Sequence, residues 1–333
     1  MKKIKIETKS KTEKPIFNIL KIQINLKLFF LFLYLIDYLF ISIYIKYKNK
    51  NYYVIRMKFL KKHKKSYNEL NLETFYDKLN WLLIYDTNKL KGKCADKILL
   101  HKYSKKILGK DICNKILKIY NNVEEININQ LPDKFVLKTN HGSGYNIIVN
   151  DITKFNIIKA KTQIKRWLNI DYGKKHAEFH YSFIKKKIFA EEFIGDKLKN
   201  YKFLSYNGKP KFVYLSIKEG KNKYRNFYDM NWKFLNYHCL SKPHPKKKYD
   251  KPKLFDLMKQ YASKLSEKFK FVRVDLYEIN KEIRLGELTF IPMNSFFFCK
   301  KKKDEIELGR NIIIIEYFII KNEGSEINIL KKY

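Results

Sequence analysis

Phe271-Val-Arg-Val-Asp-Leu-Tyr277, followed by Gly286-Glu-Leu-Thr289, is the stretch on which the reading of this chain turns. Val272, Val274 and Leu276 alternate with Arg273 and Asp275. That is the period of a β-strand, so the apolar set shares one face and the arginine and aspartate share the other. Asn280-Lys-Glu then reads as a turn into a second strand over Ile283 to Phe290, where Glu287 and Thr289 share a face. Paired, the strands can gather an arginine and two carboxylates into one polar patch above an apolar layer. Carboxylate oxygens are the donors magnesium prefers, and a polyphosphate beside them would complete such a site. A structural ion cluster on a sheet is the competing reading.

Upstream, Phe135-Val-Leu-Lys138, the loop Thr-Asn-His-Gly-Ser-Gly-Tyr-Asn146 and Ile147-Ile-Val149 read as strand, glycine loop and strand. Gly142 and Gly144 let backbone amides approach an anion that Lys138 can also reach, although a solvated glycine hairpin has the same pattern. Lys187 to Ile194 reads as a strand whose Glu191 and Glu192 point to opposite faces. One of them can face a cleft, or both can guard an edge. Tyr201 to Leu215 holds two β-prone runs joined by Asn207-Gly208, a hairpin signal. Helices are predicted from Asp151-Ile-Thr153 through Trp167 and from about Leu254 to Phe269, the second after a polar loop around Ser241 to Pro252. Residues 51 to about 129 read as helical. Tyr53-Val-Ile-Arg-Met-Lys-Phe-Leu and Thr74-Phe-Tyr-Asp-Lys-Leu-Asn-Trp-Leu-Leu carry helical apolar spacing, and Ala95 to Tyr103 adds a further helix with Gly109 near its end.

With 333 residues and 45% hydrophobic content the chain can bury a substantial core divided into lobes. Its net charge of +38 would ordinarily point to nucleic acid or an anionic membrane. Lysine, however, runs from end to end beside asparagine, isoleucine, tyrosine and phenylalanine, as AT-rich coding produces, so nucleic-acid binding is the weaker reading. Cys94, Cys113, Cys239 and Cys299 lie far apart without a Cys-x-x-Cys pair, so reduced thiols are expected. His176 and His180 are four apart, but the segment offers too few convergent ligands for zinc, and His180 reads as an ordering or substrate-facing residue. Leu28 to Ile45 is apolar and about long enough to span a membrane, with Asp37 in its middle and lysines on both sides. A membrane anchor or interfacial helix is one reading, a buried helix or an extension the other; a signal peptide fits poorly for want of a small-residue cleavage site. The expected organisation is an extension over 1–48, a mainly helical region over 49–130, a main α+β region over 131–310 and a tail over 311–333.

Thr74-Phe-Tyr-Asp-Lys-Leu-Asn-Trp, Ala95-Asp-Lys, Leu131-Pro-Asp-Lys-Phe-Val-Leu-Lys-Thr-Asn-His-Gly-Ser-Gly, Glu178-Phe-His-Tyr181, Glu191-Glu-Phe-Ile, Tyr201-Lys-Phe, Asn226-Phe-Tyr-Asp and the closing strand pair follow one another in a specific order. That order resembles the TupA-like branch of the ATP-grasp superfamily from about Tyr53 to Gly309. The resemblance implies an α+β ATP-grasp fold: two α+β lobes enclosing a nucleotide cleft, preceded by a helical region and a hydrophobic N-terminal helix. It implies ATP and Mg2+ as cofactors. The implied reaction is amide formation between a carboxylate and an amine through an acyl phosphate, in surface polysaccharide or teichuronopeptide-like synthesis, with an anionic saccharide or amino-acid substrate. A glycosyltransferase-type role is the first alternative, though no Asp-x-Asp motif supports it, and a basic nucleic-acid-binding protein is the second.

Residue by residue, the resemblance has Lys138 touch phosphates and share the catalytic role with Arg273. His141, Gly142, Ser143 and Gly144 would form the loop over the phosphates. Glu191, Glu192, Phe193 and Ile194 would hold adenine, partly through the backbone. Lys202 would contact the cofactor, and Arg225 and Lys233, flanking Asn226-Phe-Tyr-Asp, would contact phosphate or substrate. Asp275 and Glu287 would bind Mg2+, with Thr289 where many relatives have a metal-binding asparagine. His101 or Lys102 would supply the upstream basic group. Asn200 stands where an acid often precedes Tyr-Lys-Phe, which leaves Asp196 as a substitute for ribose binding. Use of ATP would place the chain in the cytoplasm, attached to the membrane face if Leu28 to Ile45 anchors it.

Overall fold

The computed structural model describes residue 57 and residues 72–332 apart from 87, 196, 197, 245, 296, 323 and 324. Leu28 to Ile45, the helix expected from Tyr53, and Asp196 therefore lie outside the described residues, save for Met57, which is helical. No helix among the described residues is long and apolar enough to cross a membrane.

Helix α1 (Phe75–Tyr85) starts where Thr74 Oγ1 accepts the amide of Asp77 at 3.1 Å. Phe75, Leu79 and Leu82 form its buried stripe. The helix expected over Ala95 to Tyr103 is instead two, α2 (Leu90–Ala95) and α3 (Leu99–Leu108). Asp96 parts them, because its carboxylate accepts the amides of Ile98 at 2.9 Å and Leu99 at 3.2 Å, which a continuous helix would have bonded internally. Gly109, at φ 76°, closes α3 in the left-handed conformation. The helical expectation fails again at β1 (Ile116–Tyr120), a half-exposed edge strand.

β1 joins β2 (Phe135–Thr139), β3 (Asn146–Val149) and β4 (Ile188–Glu192) in an antiparallel sheet of order β1-β4-β2-β3. Helix α4 (Ile157–Leu168) covers one face, where Ile164 meets Phe135, Leu137, Ile188 and Ala190. Strand alternation leaves Val136, Lys138, Phe189 and Glu191 on the other. The short α5 (Tyr172–His176) follows α4.

The larger sheet contains β5 (Asn200–Tyr206), β6 (Lys209–Glu219), β7 (Asn222–Asp229), β8 (Phe234–Leu235), β9 (Phe271–Ile279) and β10 (Glu282–Thr289), in the order β10-β9-β5-β6-β7-β8. Two of its hairpins turn in two residues with both φ angles positive, Asn207-Gly208 at 47° and 77° and Asn280-Lys281 at 50° and 64°. That geometry matches the right-handed twist of the flanking strands, so the asparagines act as the sequence signal indicated. Val272, Val274 and Leu276 pack beneath the sheet against Met258, Ala262 and Leu265 of α6 (Phe255–Ser266). The opposite face is covered only in part, by α1 and α7 (Lys302–Gly309), where Phe75 and Leu308 meet Tyr206, Tyr214 and Phe271. Its remainder carries Arg273, which is buried, and Lys202 and Asp275, which line a cleft among the described residues.

Residues expected to form a tail make a hairpin of β11 (Ile315–Asn322) and β12 (Ser325–Lys332). Cys239 and Cys299, 60 positions apart, are joined by a disulfide, contrary to the expectation of reduced thiols. They meet in an isolated antiparallel bridge, a proximity that spacing in the chain does not reveal. Cys94 and Cys113 are buried and free.

Candidate active site

The site begins with a change of register between β9 and β10. Leu285 lies opposite Leu276, but Glu287 lies opposite Asp275, so β10 takes up one extra residue at Gly286 as a β-bulge. Regular pairing would set Glu287 opposite Val274, on the packed face. The bulge carries Glu287 and Thr289 to the face of Asp275 and Arg273 while Leu285 and Leu288 both remain in the core. A Cβ at Gly286 would come within 2.6 Å of the Tyr277 ring, so any other residue would have to displace that ring.

Arg273 organises this face. Its Nε donates to Asp275 Oδ1 at 2.6 Å, and its NH2 group donates to Asp275 Oδ2 at 2.8 Å, Glu287 Oε1 at 2.6 Å and Thr289 Oγ1 at 3.0 Å. Thr289 donates to Glu287 Oε1 at 2.8 Å. Lys202, opposite Asp275 on β5, donates to Asp275 Oδ2. Arg273 is 7% exposed and Asp275 1%, so the charges compensate one another away from water. Burial pushes the Glu287 carboxyl up, but Arg273, then Lys202 and Lys97, outweigh it and hold its pKa down at about 2. Burial likewise opposes the Arg273 charge, and Asp275, Tyr214 and Glu287 override it, keeping its pKa well above the ordinary value.

The facing wall comes from the smaller sheet. Lys138 Nζ donates to Glu191 Oε1 at 2.6 Å, and Asn114 Nδ2 donates to the same oxygen at 3.1 Å. Glu191 turns to the cleft beside Lys138, and Glu192, at the strand end, also lines the cleft while accepting the Lys115 amide at 2.9 Å. Lys97 Nζ donates to the Gly142 carbonyl at 2.5 Å. Burial lowers the pKa of its ammonium, a shift that Glu287 opposes.

Between the walls lies a cleft of about 290 Å³. Lys97, Lys138, Lys202, Glu191, Asp275 and Glu287 line its polar part, and Val136, Ile148, Phe193, Ile194 and Leu198 line its apolar part. A flat apolar ring suits the second part and a polyanion the first. Asp275, which is buried, and Glu287 lie opposite in register and line the cleft with hard oxygen donors. Two carboxylates suit a small divalent cation that keeps its other coordination positions for water and phosphate oxygens, so the donor set fits magnesium.

Several expected residues lie elsewhere. His101 pairs with Asp111 at 2.7 Å and Lys102 is exposed; neither lines the cleft, and Lys97 is the upstream base that does. His141 is buried, with Nε2 3.2 Å from the Trp167 carbonyl, and burial lowers its pKa to about 4. Of its loop, Ser143 and Gly144 are exposed, and Gly144 lines the cleft. Arg225 bonds Ser241 at 3.2 Å, and Lys233 is exposed with its amide held by Asp229 at 2.8 Å; neither lines the cleft. Asn200 lines the cleft and donates to the Tyr277 hydroxyl at 2.8 Å. Ala177, at φ 60°, ends α5 between His176 and His180, so the two do not form a helical pair. His180 packs against Phe290, and burial, then Lys91, lowers its pKa to about 3.

A family model described as TupA-like ATPgrasp matches residues 77–313. The chain belongs to the TupA-like ATP-grasp family. Among solved structures, D-alanine–D-alanine ligase from Bacillus anthracis, complexed with ATP, shares 16% identity at TM-score 0.42, covering 66% of this chain and 64% of that one. The corresponding ligase from Helicobacter pylori shares 17% at TM-score 0.36, covering 66% and 58%. N5-carboxyaminoimidazole synthetase from Staphylococcus aureus, complexed with ADP, shares 11% at TM-score 0.35, covering 61% and 46%. The chain thus spans between 46% and 64% of the length of these proteins. No curated protein matches the sequence.

Proposed function

We propose that this TupA-like ATP-grasp protein is an ATP-dependent carboxylate–amine ligase that works through an acyl phosphate in cell-surface polysaccharide or teichuronopeptide-like synthesis. The observation that carries the reading is the Arg273–Asp275–Glu287–Thr289 network facing Lys138 and Lys97 across the cleft. In the proposed reaction the γ-phosphoryl group leaves ATP for a carboxylate oxygen, and ADP departs. An amine then attacks the acyl carbon, inorganic phosphate leaves, and an amide remains. Catalysis of this kind needs positioning and charge neutralisation and no enzyme nucleophile.

Asp275 and Glu287, with Thr289 beside them, would hold magnesium, which when bound neutralises phosphate charge and fixes the phosphate oxygens. Lys138 and Lys97 supply cations from the small-sheet wall, and Lys202 one from the large. Glu191 positions Lys138 through its 2.6 Å ion pair. Arg273, which does not itself line the cleft, holds the two carboxylates in place and would stabilise the transferred group through its fixed positive charge. Phe193, Ile194 and Leu198 exclude water from the apolar end, where an adenine would lie.

An anionic acceptor is supported by a basic loop beside the cleft. Lys242, Lys246, Lys247, Lys248, Lys251 and Lys253 are exposed, with Lys247 and Lys251 paired to Glu219 and Asp256. Buried Asn226 pins the loop, donating to the Lys247 carbonyl at 2.6 Å and accepting the His244 amide at 2.9 Å. Lys199, next to the cleft residue Asn200, lies 5.1 Å from the centre of the Tyr249 ring in that loop. The test is ADP release from ATP against a panel of uronic and acidic amino-acid carboxylates with amines. Amide product with stoichiometric ADP and phosphate supports the reading. Transfer of a sugar from a nucleotide sugar, with ATP untouched, overturns it.

A further inference from the structure

His101, Asp111 and Cys113 form a second cluster of chemically able side chains, outside the residues that line the cleft. Gly109 turns the chain back after α3, which brings the loop carrying Asp111 and Cys113 against His101 on that helix. A ring nitrogen, a carboxylate oxygen and the sulfur all lie within 4.8 Å of one another, the one such group among the described residues. His101 Nδ1 is 2.7 Å from Asp111 Oδ2, while Asp111 Oδ1 accepts the Cys113 amide at 3.0 Å. The loop is anchored, because the Leu285 amide donates to the Ile112 carbonyl at 2.8 Å. Asp111 is the exposed member and Cys113 the buried one, so the cluster is open to solvent on one side and sealed on the other.

We propose that His101, Asp111 and Cys113 bind a zinc-class divalent transition metal as a nitrogen–oxygen–sulfur set, with water in the fourth position. Mixed histidine, carboxylate and thiolate donors select zinc and its neighbours over magnesium and calcium. Bond lengths of 2.0–2.3 Å in a tetrahedral zinc site put donors roughly 3.5 Å apart, so closing the set takes side-chain rotation of about an ångström. On binding, His101 ligates through Nδ1 with its ring proton on Nε2, the Cys113 S–H bond breaks as sulfur joins the metal, and the thiol proton passes to solvent. A free catalytic thiol is the rival reading. Cys113 is buried and does not line the cleft, so its thiol does not meet a substrate bound there.

The site would act as a clip on the cleft. Cys113 adjoins Asn114, which holds Glu191 at 3.1 Å, and Leu285, bonded to Ile112, lies two residues before Glu287. A metal would therefore tie α3 to both walls and steady the Asn114–Glu191–Lys138 chain. The test uses the full-length protein stripped with chelator and titrated with Zn2+ alone by calorimetry, and with Co2+ by absorption. One zinc per chain and a sulfur-to-cobalt charge-transfer band are expected, both lost in Cys113→Ser, with zinc affinity at least 10-fold weaker in His101→Ala. Cys94→Ser, at the other free cysteine, leaves both unchanged. Asp111→Asn keeps an acceptor for the Cys113 amide and so retains the loop, yet weakens the metal. Absence of stoichiometric zinc, no sulfur band, or equal affinity in Cys113→Ser overturns the proposal, whatever ATP turnover shows.

Discussion

On the large-sheet wall of the cleft every charge is answered by another: Arg273 spans Asp275, Glu287 and Thr289, and Lys202 closes on Asp275. The small-sheet wall is looser, holding one ion pair between Lys138 and Glu191 and a loop whose Ser143 and Gly144 face solvent. The difference follows from burial. The first network lies on β10, β9 and β5, at one side of a six-stranded sheet, with Arg273 and Asp275 buried, so these groups cannot fall back on water. The second lies on a four-stranded sheet backed by α4 and flanking loop residues such as Val123 and Phe155, and its exposed loop can adjust to a ligand. One wall is preorganised and the other adaptable, a division suited to clamping a nucleotide before group transfer.

The contrast breaks most visibly on removing Arg273. Arg273→Ala strands Asp275 and Glu287 and is expected to cost about 3–5 kcal/mol in denaturant unfolding, whereas Lys138→Ala costs less than half as much. Equal losses would abolish the distinction. Glu287→Gln, nearly isosteric, is expected to cut ATP turnover by ~10²–10³-fold while leaving the fold intact, as measured by steady-state ADP release. Lys138→Ala should instead act chiefly on KM for ATP. A Glu287→Gln enzyme with unchanged turnover argues against the metal role.

Acid should weaken the two walls in separate windows. His141, behind the small-sheet loop, has its pKa lowered from 6.5 to about 4, so the unfolded chain takes up a proton that the folded chain refuses. Its stabilisation is complete above pH 6.5 and is lost as pH falls towards 4, at up to ~1.4 kcal/mol per pH unit. His180 adds to that window and extends it towards pH 3. Glu287 is lowered from 4.5 to about 2, so its contribution is present above pH 4.5 and disappears as pH falls through 2. Unfolding free energy measured against pH should therefore lose slope between pH 6.5 and 4 in His141→Gln and below pH 4.5 in Glu287→Gln. The smallest effect belongs to Ser143→Ala, expected within about ±0.5 kcal/mol in stability because its side chain is exposed. A larger loss would mean that the loop is held as firmly as the opposite wall.

The polar face of β9 was legible because strict alternation of Val272, Val274 and Leu276 with Arg273 and Asp275 leaves a single folding answer. The bulge was not read from the sequence, although Ile283, Leu285, Leu288 and Phe290 skip a position, and that skip carries Glu287 round to Asp275. Asn207-Gly208 announced its turn through the positive φ angles that it tolerates. Lys97 was hidden behind His101, because a helix drawn through Asp96 sends the wrong side chain to the cleft. β1 was hidden because Ile116-Leu-Lys-Ile-Tyr120 has no clean alternation and gains its strand geometry from pairing with β4. The resemblance placed His141 in the loop over the phosphates, yet its place against Trp167 depends on α4, which no local pattern reveals. The Cys239–Cys299 bond is a long-range meeting of the same kind.

The central claim is that the cleft binds ATP through a magnesium ion held by Asp275 and Glu287. Calorimetric titration with a non-hydrolysable ATP analogue, with and without Mg2+, in the wild type and in Glu287→Gln, tests it most directly. Binding of one analogue per chain, at least 10-fold tighter with Mg2+ in the wild type and indifferent to Mg2+ in the variant, is the expected result. Identical binding by both proteins with and without Mg2+, or no binding by either, would contradict it.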